Sequence, residues 1–124
     1  MEIIQKNTRN FLKAAHKALD DKFGSDIKII DLRGLSVLTD FFVVTNGGSE
    51  AQVKVLADEV QKALSGEGLK MRSSEGYSQA NWILLDFDQV IVHVFDKPTR
   101  EFYNIERIWG DAPLVELASA TGGN

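Results

Sequence analysis

The sequence contains no cysteine, which excludes disulfide bonds and any reaction or metal site that depends on a thiolate. With only two histidines in 124 residues, a closed zinc site is not expected. No apolar run approaches the roughly 20 residues that a membrane-spanning helix needs. The first ten residues also lack the apolar segment and cleavage site of a secretory signal. These absences predict a cytoplasmic protein that uses no membrane, metal or other cofactor.

Positive charge is also scarce, because 14 lysines and arginines are set against 18 acidic residues and the net charge is -4. A free nucleic-acid binder usually carries a basic face, since phosphate contacts supply most of its affinity. We therefore expect little direct contact with nucleic acid. If the protein works on a nucleoprotein particle, its charge suits a basic protein of that particle better than the RNA.

Hydrophobic periodicity predicts one domain of three helices and five strands. The helices are predicted at 3–23, from Ser49 to Gly66 or Gly68, and from Pro98 to Gly110. The strands are predicted at 26–32, 40–45, 69–72, 82–86 and 90–95, the third being the weakest. The order α-β-β-α-β-β-β-α implies a mixed sheet with packed helices, an α/β (α+β) fold.

The sequence also predicts helix ends and buried faces. Gly24 is expected to stop the first helix, and the Ser49–Gln52 spacing predicts a capping box at the second. The buried face of the first helix is predicted to contain Ile4, Phe11, Leu12, Ala15, Ala18, Leu19 and Phe23. That of the last helix is predicted to contain Phe102, Ile105 and Trp109.

The stretch from Trp82 to Trp109 concentrates chemically informative residues. It holds six of the chain's eleven aromatic side chains, interspersed with ionisable groups. Alternation along its two strands places Trp82, Leu84 and Asp86 on one face, with Ile83 and Leu85 on the other. The returning strand likewise separates Ile91, His93 and Phe95 from Val90, Val92 and Val94. Such a mixture indicates either an active site or a surface for another macromolecule.

The enzymatic interpretation rests on Asp86 and Asp88, which could hold a divalent cation for nucleotidyl transfer, with Gly47-Gly48-Ser49 as a phosphate loop. Asp88 is expected in the hairpin turn, however, where its side chain would diverge from that of Asp86. His93 has no cysteine to activate and no serine in a recognisable nucleophile setting. A metal-dependent nucleotidyltransferase is therefore the alternative, and a protein without catalytic residues is favoured.

The interaction interpretation accounts for more of the stretch, because Trp, Tyr and Arg dominate the energetics of protein interfaces. We expect aromatic and charged side chains to converge on an exposed sheet face and the start of the adjoining helix. Trp109 is instead expected to belong to the core. The predicted partner-binding residues are Trp82, Asp86, His93, Phe95, Arg100, Tyr103 and Glu106.

Ordered motifs along the chain resemble the ribosomal silencing factor family, also called RsfS or Iojap. The opening signature is 31–36, DLRGLS, followed by 39–44, TDFFVV. The resemblance continues through 48–49, 52–53, 75–76, Trp82 and Asp86. It ends with 90–95, VIVHVF, and with Arg100, Phe102, Tyr103, Ile105, Glu106 and Trp109. The resemblance covers about residues 4–113, so we expect a family-like domain at 1–113 and a C-terminal tail at 114–124.

The resemblance implies a nucleotidyltransferase-like fold that lacks the transferase's catalytic set. It implies binding to the large ribosomal subunit at protein uL-fourteen, where the factor blocks joining of the small subunit and represses translation. Homodimers are seen in the family, so a homodimer is a possible state of this chain. Organellar relatives act in large-subunit assembly, which gives a second alternative function.

One departure from the family pattern lies in the hairpin turn. Relatives usually read Asp-hydrophobic-Gly-Asp there, whereas this chain reads Asp86-Phe87-Asp88-Gln89. Asp88 is thus expected to adopt the left-handed conformation in place of glycine. The carboxylate that relatives carry at position 89 is absent, along with any contact it makes.

Overall fold

The computed structural model describes residues 3–117, in which a five-stranded sheet has the strand order β1-β2-β5-β4-β3. The elements in chain order are α1 (Lys6–Asp21), β1 (Ser25–Asp31), β2 (Phe41–Gly47), α2 (Glu50–Gly66), β3 (Ser73–Glu75), β4 (Trp82–Asp86), β5 (Val90–Asp96), α3 (Lys97–Tyr103) and α4 (Ile105–Ile108).

The sheet is mixed, because β2 and β5 run parallel while the other three neighbouring pairs run antiparallel. β2 and β5 occupy the interior of the sheet, and the residues of β5 from Val90 to Phe95 are all buried. Their near-continuous apolar sequence follows from this position, since both faces of these strands are covered. The predicted α+β fold with a mixed sheet is confirmed.

The first face of the sheet is covered by α1 and α2. Alternate residues of the central strands, among them Val43, Val92 and Val94, pack there against Leu12 and Leu56 of the helices. Half of the predicted capping box forms at the start of α2: the Ser49 hydroxyl accepts the Gln52 amide at 3.1 Å, while the Gln52 side chain accepts from the Gly48 amide instead of the Ser49 amide. This face holds the larger core. Its packing holds the central strands in place, and the same strands carry the side chains of the opposite face.

The second face is covered over only part of its area, by α3 and α4. Buried Ile30, Val44, Phe95 and Ile105 form a smaller core there. Phe42, Trp82, Trp109 and Ala112 pack against it while remaining partly accessible to solvent. The two short helices, of 7 and 4 residues, leave a margin of aromatic side chains at the surface.

The end of α1 differs from the prediction. The helix stops at Asp21, and it is Phe23 rather than Gly24 that takes the left-handed conformation, with φ of 65°. The Gly24 amide then donates to the Leu19 carbonyl at 2.8 Å, which completes the cap. Phe23 is exposed, so its predicted burial is wrong, because the chain has already left the helical path at that residue.

The short strand after α2 lies later than predicted. Residues 69–72 are not a strand, and Ser73–Glu75 pairs instead with the β4 residues 84–86. All three residues of β3 are exposed, so they carry no apolar alternation that sequence reasoning could detect. Leu69 and Met71 pack partly against the larger core, which explains why their segment looked strand-like.

The predicted helix from Pro98 to Gly110 is two helices. Asn104 adopts the left-handed conformation, with φ of 44°, and breaks the helical path between α3 and α4. The break changes which residues face the sheet: Ile105 is buried, but Phe102 is 80% exposed. The prediction that Phe102 is buried is therefore wrong, because it assumed unbroken helical spacing.

The segment after Trp109 runs along the outer edge of β1. The Asp31 amide donates to the Pro113 carbonyl at 2.9 Å, and the Val115 amide donates to the Ile29 carbonyl at 2.8 Å. Residues 118–124 of the predicted C-terminal tail lie outside the described residues, and the boundary at 113 stays a prediction. Within 3–117, no helix is long and apolar enough to cross a membrane.

Candidate functional site

The pairing of β4 with β5 brings the predicted aromatic residues together on the second sheet face. Trp82 lies opposite Phe95, and Leu84 lies opposite His93. Because side chains alternate across a strand, these four residues share one face, while Ile83 and Leu85 point to the larger core. The strand assignments and their predicted facing are confirmed.

Ring contacts link these residues into an aromatic cluster. The Trp82 ring centroid lies 4.9 Å from those of both Phe95 and Tyr103. The His93 ring stacks near Phe95 at 6.2 Å and meets Phe42 edge-on at 4.4 Å. We use the name aromatic cluster for the linked set Phe42, Trp82, His93, Phe95, Tyr103 and Trp109.

The members of this cluster are accessible to different degrees. Phe95 and His93 are buried, Trp82 is partly buried, and Tyr103 is 51% exposed. The expectation that Phe95 and His93 lie exposed is wrong, because the Phe42 and Trp82 rings pack against His93 and Trp82 also packs against Phe95. The cluster therefore consists of a buried base that supports an accessible edge at Trp82 and Tyr103.

His93 is held in its place by one hydrogen bond and by burial. The Trp82 indole Nε1–H donates to His93 Nδ1 at 3.1 Å, while the ring is only 4% exposed. Burial lowers the pKa of His93 from 6.5 to about 4, because the charged imidazolium cannot be solvated there. At neutral pH the ring is therefore uncharged, with Nδ1 as acceptor and the proton on Nε2.

Arg100 is a structural residue of the free chain and is only 6% exposed. Its guanidinium binds the Glu106 carboxylate through two contacts, of 2.9 and 3.3 Å. It also donates to the Asn46 side-chain oxygen at 2.8 Å and to the Ser25 carbonyl at 3.3 Å, and it lies 3.6 Å from the Asp26 carboxylate. Arg100 and Glu106 thus tie α3, α4, β1 and β2 together, and the expectation that Arg100 is exposed is wrong.

The two candidate metal ligands have separate structural partners. Asp86 accepts the backbone amide of Asp88 at 2.8 Å and so closes the hairpin turn. Asp88 adopts the predicted left-handed conformation, with φ of 74°, and its carboxylate pairs with Arg72 at 2.7 Å. Across residues 3–117, no group of three His, Cys, Asp or Glu side chains could hold a metal ion.

The glycine-rich turn before α2 serves close packing. A Cβ on Gly47 would lie 3.2 Å from the backbone nitrogen of Val53, so glycine allows the strand to approach the helix. The Gly48 amide donates to Gln52 Oε1 at 2.6 Å, and the Gln52 side chain also donates to the carbonyls of Lys22 and Phe23. Gln52 thereby takes up an amide that a phosphate would need, and it joins α2 to the end of α1.

The family model for "Ribosomal silencing factor during starvation" matches residues 5–123. The chain is 41% identical over 111 residues to the ribosomal silencing factor RsfS of Halalkalibacterium halodurans, covering 90% of this chain and 95% of the relative. This chain belongs to the ribosomal silencing factor family. The predicted RsfS and Iojap membership is thus confirmed.

Two further comparisons show how widely the family's sequence and fold extend. The chloroplastic Iojap protein of Zea mays is 32% identical over 109 residues, which cover 87% of this chain and 47% of the maize protein. A crystal structure of a Chromobacterium violaceum protein superposes with a TM-score of 0.80 at 38% identity, covering 89% of this chain and 88% of that one. The fold is therefore shared by solved structures of similar sequence.

Sequence reasoning missed three accessible or supporting residues of this candidate site. Phe42 was predicted only as part of the strand at 40–45, although its alternation with Phe41 places it on the second sheet face beside His93. Phe102 contacts Tyr103 at 5.0 Å, and both Phe102 and Ile108 are largely exposed. Alternation could have revealed Phe42, whereas the two helical residues depend on the break at Asn104, which carries no apolar signal.

Proposed function

We propose that this chain silences translation by binding the large ribosomal subunit through protein uL-fourteen and blocking the small subunit from joining it. The observation that supports this most is the aromatic cluster, whose accessible edge lies on a sheet face that α3 and α4 cover only in part. Membership of the ribosomal silencing factor family supports a role in silencing translation, and the aromatic cluster is the surface that we propose binds the ribosomal partner.

The exposed edge has the composition of an interface anchor. Tyr103 and Trp82 offer large, rigid rings that lose little conformational entropy when a partner covers them. Phe102 and Ile108 add exposed apolar area on the adjoining helices. The buried members, Phe95 and His93, hold the rings from below and are proposed to act through them instead of by direct contact.

The charge of the chain favours a basic protein as the partner. With 14 positive and 18 negative side chains, it would be repelled by bare phosphates and attracted by a lysine- and arginine-rich protein. Contact with ribosomal RNA is therefore proposed to be minor, and the site of action is proposed to be the cytoplasm. A homodimer that shares or hides the same face remains part of this proposal.

The proposed mechanism is steric exclusion without catalysis. Asp86 and Asp88 make contacts that hold the hairpin turn, and Gln52 takes up an amide at the start of α2. The residues that favoured a nucleotidyltransferase thus have structural roles. Repression then requires only that the bound chain occupy surface that the small subunit needs.

A matched pair of tyrosine substitutions tests the proposed surface. Tyr103 and Tyr77 are similarly exposed, at 51% and 42%, but Tyr77 contacts Lys54 and Asp58 of α2, which packs on the opposite sheet face. We expect Tyr103→Ala to weaken binding to purified large subunits by about 1–3 kcal/mol and Tyr77→Ala to leave it unchanged. Co-sedimentation measures binding, and gradient profiles with added small subunits measure joining.

Equal binding by folded Tyr103→Ala and Tyr77→Ala chains, with equal inhibition of subunit joining, would contradict the proposal, because the contact with the large subunit would then not involve Tyr103. Circular dichroism of both variants serves as the folding control. Loss of joining inhibition without loss of large-subunit binding would overturn steric exclusion as the mechanism.

A further inference from the structure

The hydrogen bond from the Trp82 indole to His93 joins the neighbouring strands β4 and β5. The donor and acceptor nitrogens are 3.1 Å apart, and Trp82 also packs its ring between Phe95 and Tyr103. Ring packing against Phe95 and Tyr103 does not by itself fix which edge of the indole faces His93. The bond to Nδ1 selects one orientation, because the indole has a single N–H donor, which lies on one edge of the ring.

The histidine is an unfavourable choice for packing alone. In the described part of the chain, His93 Nε2 is a buried nitrogen with no hydrogen-bond partner, although it must carry the proton when Nδ1 accepts. A buried donor without an acceptor opposes folding. A phenylalanine would fill much the same space among Phe42, Phe95 and Trp82 without this penalty. The use of a histidine here then lies in the hydrogen bond that its Nδ1 accepts from the Trp82 indole.

We propose that His93 is the positioning residue of the ribosome-binding surface, which orients the Trp82 ring through Nδ1 so that its accessible edge fits the partner. This inference rests on the proposed function and assigns a specific role to a buried side chain. The partner touches Trp82 and Tyr103, whereas His93 acts only through Trp82. Its contribution to binding is thus made at some expense of stability.

Two substitutions separate the acceptor from the ring. His93→Phe keeps an aromatic ring but removes the acceptor, whereas His93→Asn keeps a carbonyl oxygen near the position of Nδ1 but loses ring packing. A role in packing alone predicts that Asn is worse in both stability and binding. The positioning role predicts opposite orders: Phe is at least as stable as the natural chain but binds poorly, and Asn is less stable but binds well.

Binding is measured with purified large ribosomal subunits at a temperature where all variants are folded. We expect His93→Phe to bind about tenfold more weakly and His93→Asn to bind within about threefold of the natural chain, the scale of one lost hydrogen bond. Thermal unfolding gives the stability order. The indole N–H resonance of Trp82 should exchange slowly with solvent in the natural chain and in His93→Asn, and faster in His93→Phe.

Nitrogen chemical shifts of His93 in the unaltered chain test the geometry without any substitution. An unprotonated Nδ1 and a protonated Nε2 at neutral pH are expected, and the opposite tautomer would overturn the inference even if the variants failed to fold.

Trp82→Ala separates this inference from the proposed function. If Trp82→Ala loses binding while His93→Phe binds normally, the surface stands and the role of His93 is wrong. If Trp82→Ala and Tyr103→Ala both bind normally, the surface itself is wrong. Binding by the two His93 variants that follows their stability order also overturns the positioning role.

Discussion

At the scale of single residues, burial decides what the polar groups of the site can do. His93, Arg100 and Phe95 have the residue types of an interface or an active site, yet each lies inside the free chain. Arg100 is neutralised by Glu106 and bonded to Asn46, so it fastens the helices to the sheet. The chemistry of a side chain was thus readable from the sequence, but its accessibility was not.

His93 should make the chain less stable in mild acid. Its pKa in the folded chain is about 4 and its ordinary value is 6.5, so the unfolded state binds the proton more readily between these pH values. This loss of stability is absent above about pH 6.5 and grows as the pH falls toward 4. It reaches about 3 kcal/mol there, which urea unfolding across this range would measure.

The control for this pH dependence is His93→Phe, which removes the titrating group and keeps the ring. Carboxylates also titrate near pH 4, so the difference between the two chains isolates the histidine. Identical slopes of unfolding free energy between pH 6.5 and 4.5 would show that His93 is not buried in its neutral form.

At the scale of elements, the approach to β4 depends on one glycine. Gly76 has φ of 85°, and a Cβ at that position would lie 2.1 Å from the carbonyl oxygen of Trp82. The loop backbone therefore passes directly against the first residue of β4. Any larger residue must push that strand end, and the aromatic cluster that begins there, out of place.

Gly34 provides a matched comparison for this glycine. Its φ of 81° is almost the same, but nothing lies within 4 Å of the Cβ that alanine would add. We expect Gly34→Ala to lower the free energy of unfolding by about 1 kcal/mol and Gly76→Ala to lower it by about 3 kcal/mol or more. Urea denaturation of both variants measures the difference, and equal losses would contradict the close contact at Trp82.

At the scale of the whole molecule, the excess of four negative charges should govern how the chain meets its partner. If the partner surface is a basic protein, raising the salt from roughly 0.1 M to 0.3 M screens the attraction and slows association. The dissociation rate should change less, because the desolvated aromatic contacts are insensitive to screening. Stopped-flow or surface-capture kinetics with large subunits at constant magnesium would measure both rates.

An opposite salt response would identify a different kind of contact. If the chain approached exposed phosphates, screening would relieve repulsion, and the association rate would rise with salt. Tyr103→Ala provides the internal control here, since it should change the dissociation rate and leave the salt dependence of association intact.

The sequence by itself determined the order of most elements, the mixed sheet, the facing of β4 and β5, and the family. These follow from local periodicity, cap residues and ordered motifs, each of which spans only a few neighbouring residues. The left-handed turn at Asp88 was also predictable, because aspartate is favoured in turns and tolerates that conformation.

Only the tertiary structure decided which part of the Trp82–Trp109 stretch reaches solvent. The left-handed Asn104 splits the last helix, turning Phe102 outward and Ile105 inward, and the fold brings Arg100 next to Asn46, 54 residues away. Exposure depends on what other segments cover, which no local pattern records. That is why several predicted contact residues, among them His93 and Phe95, are buried beneath an accessible edge at Trp82 and Tyr103.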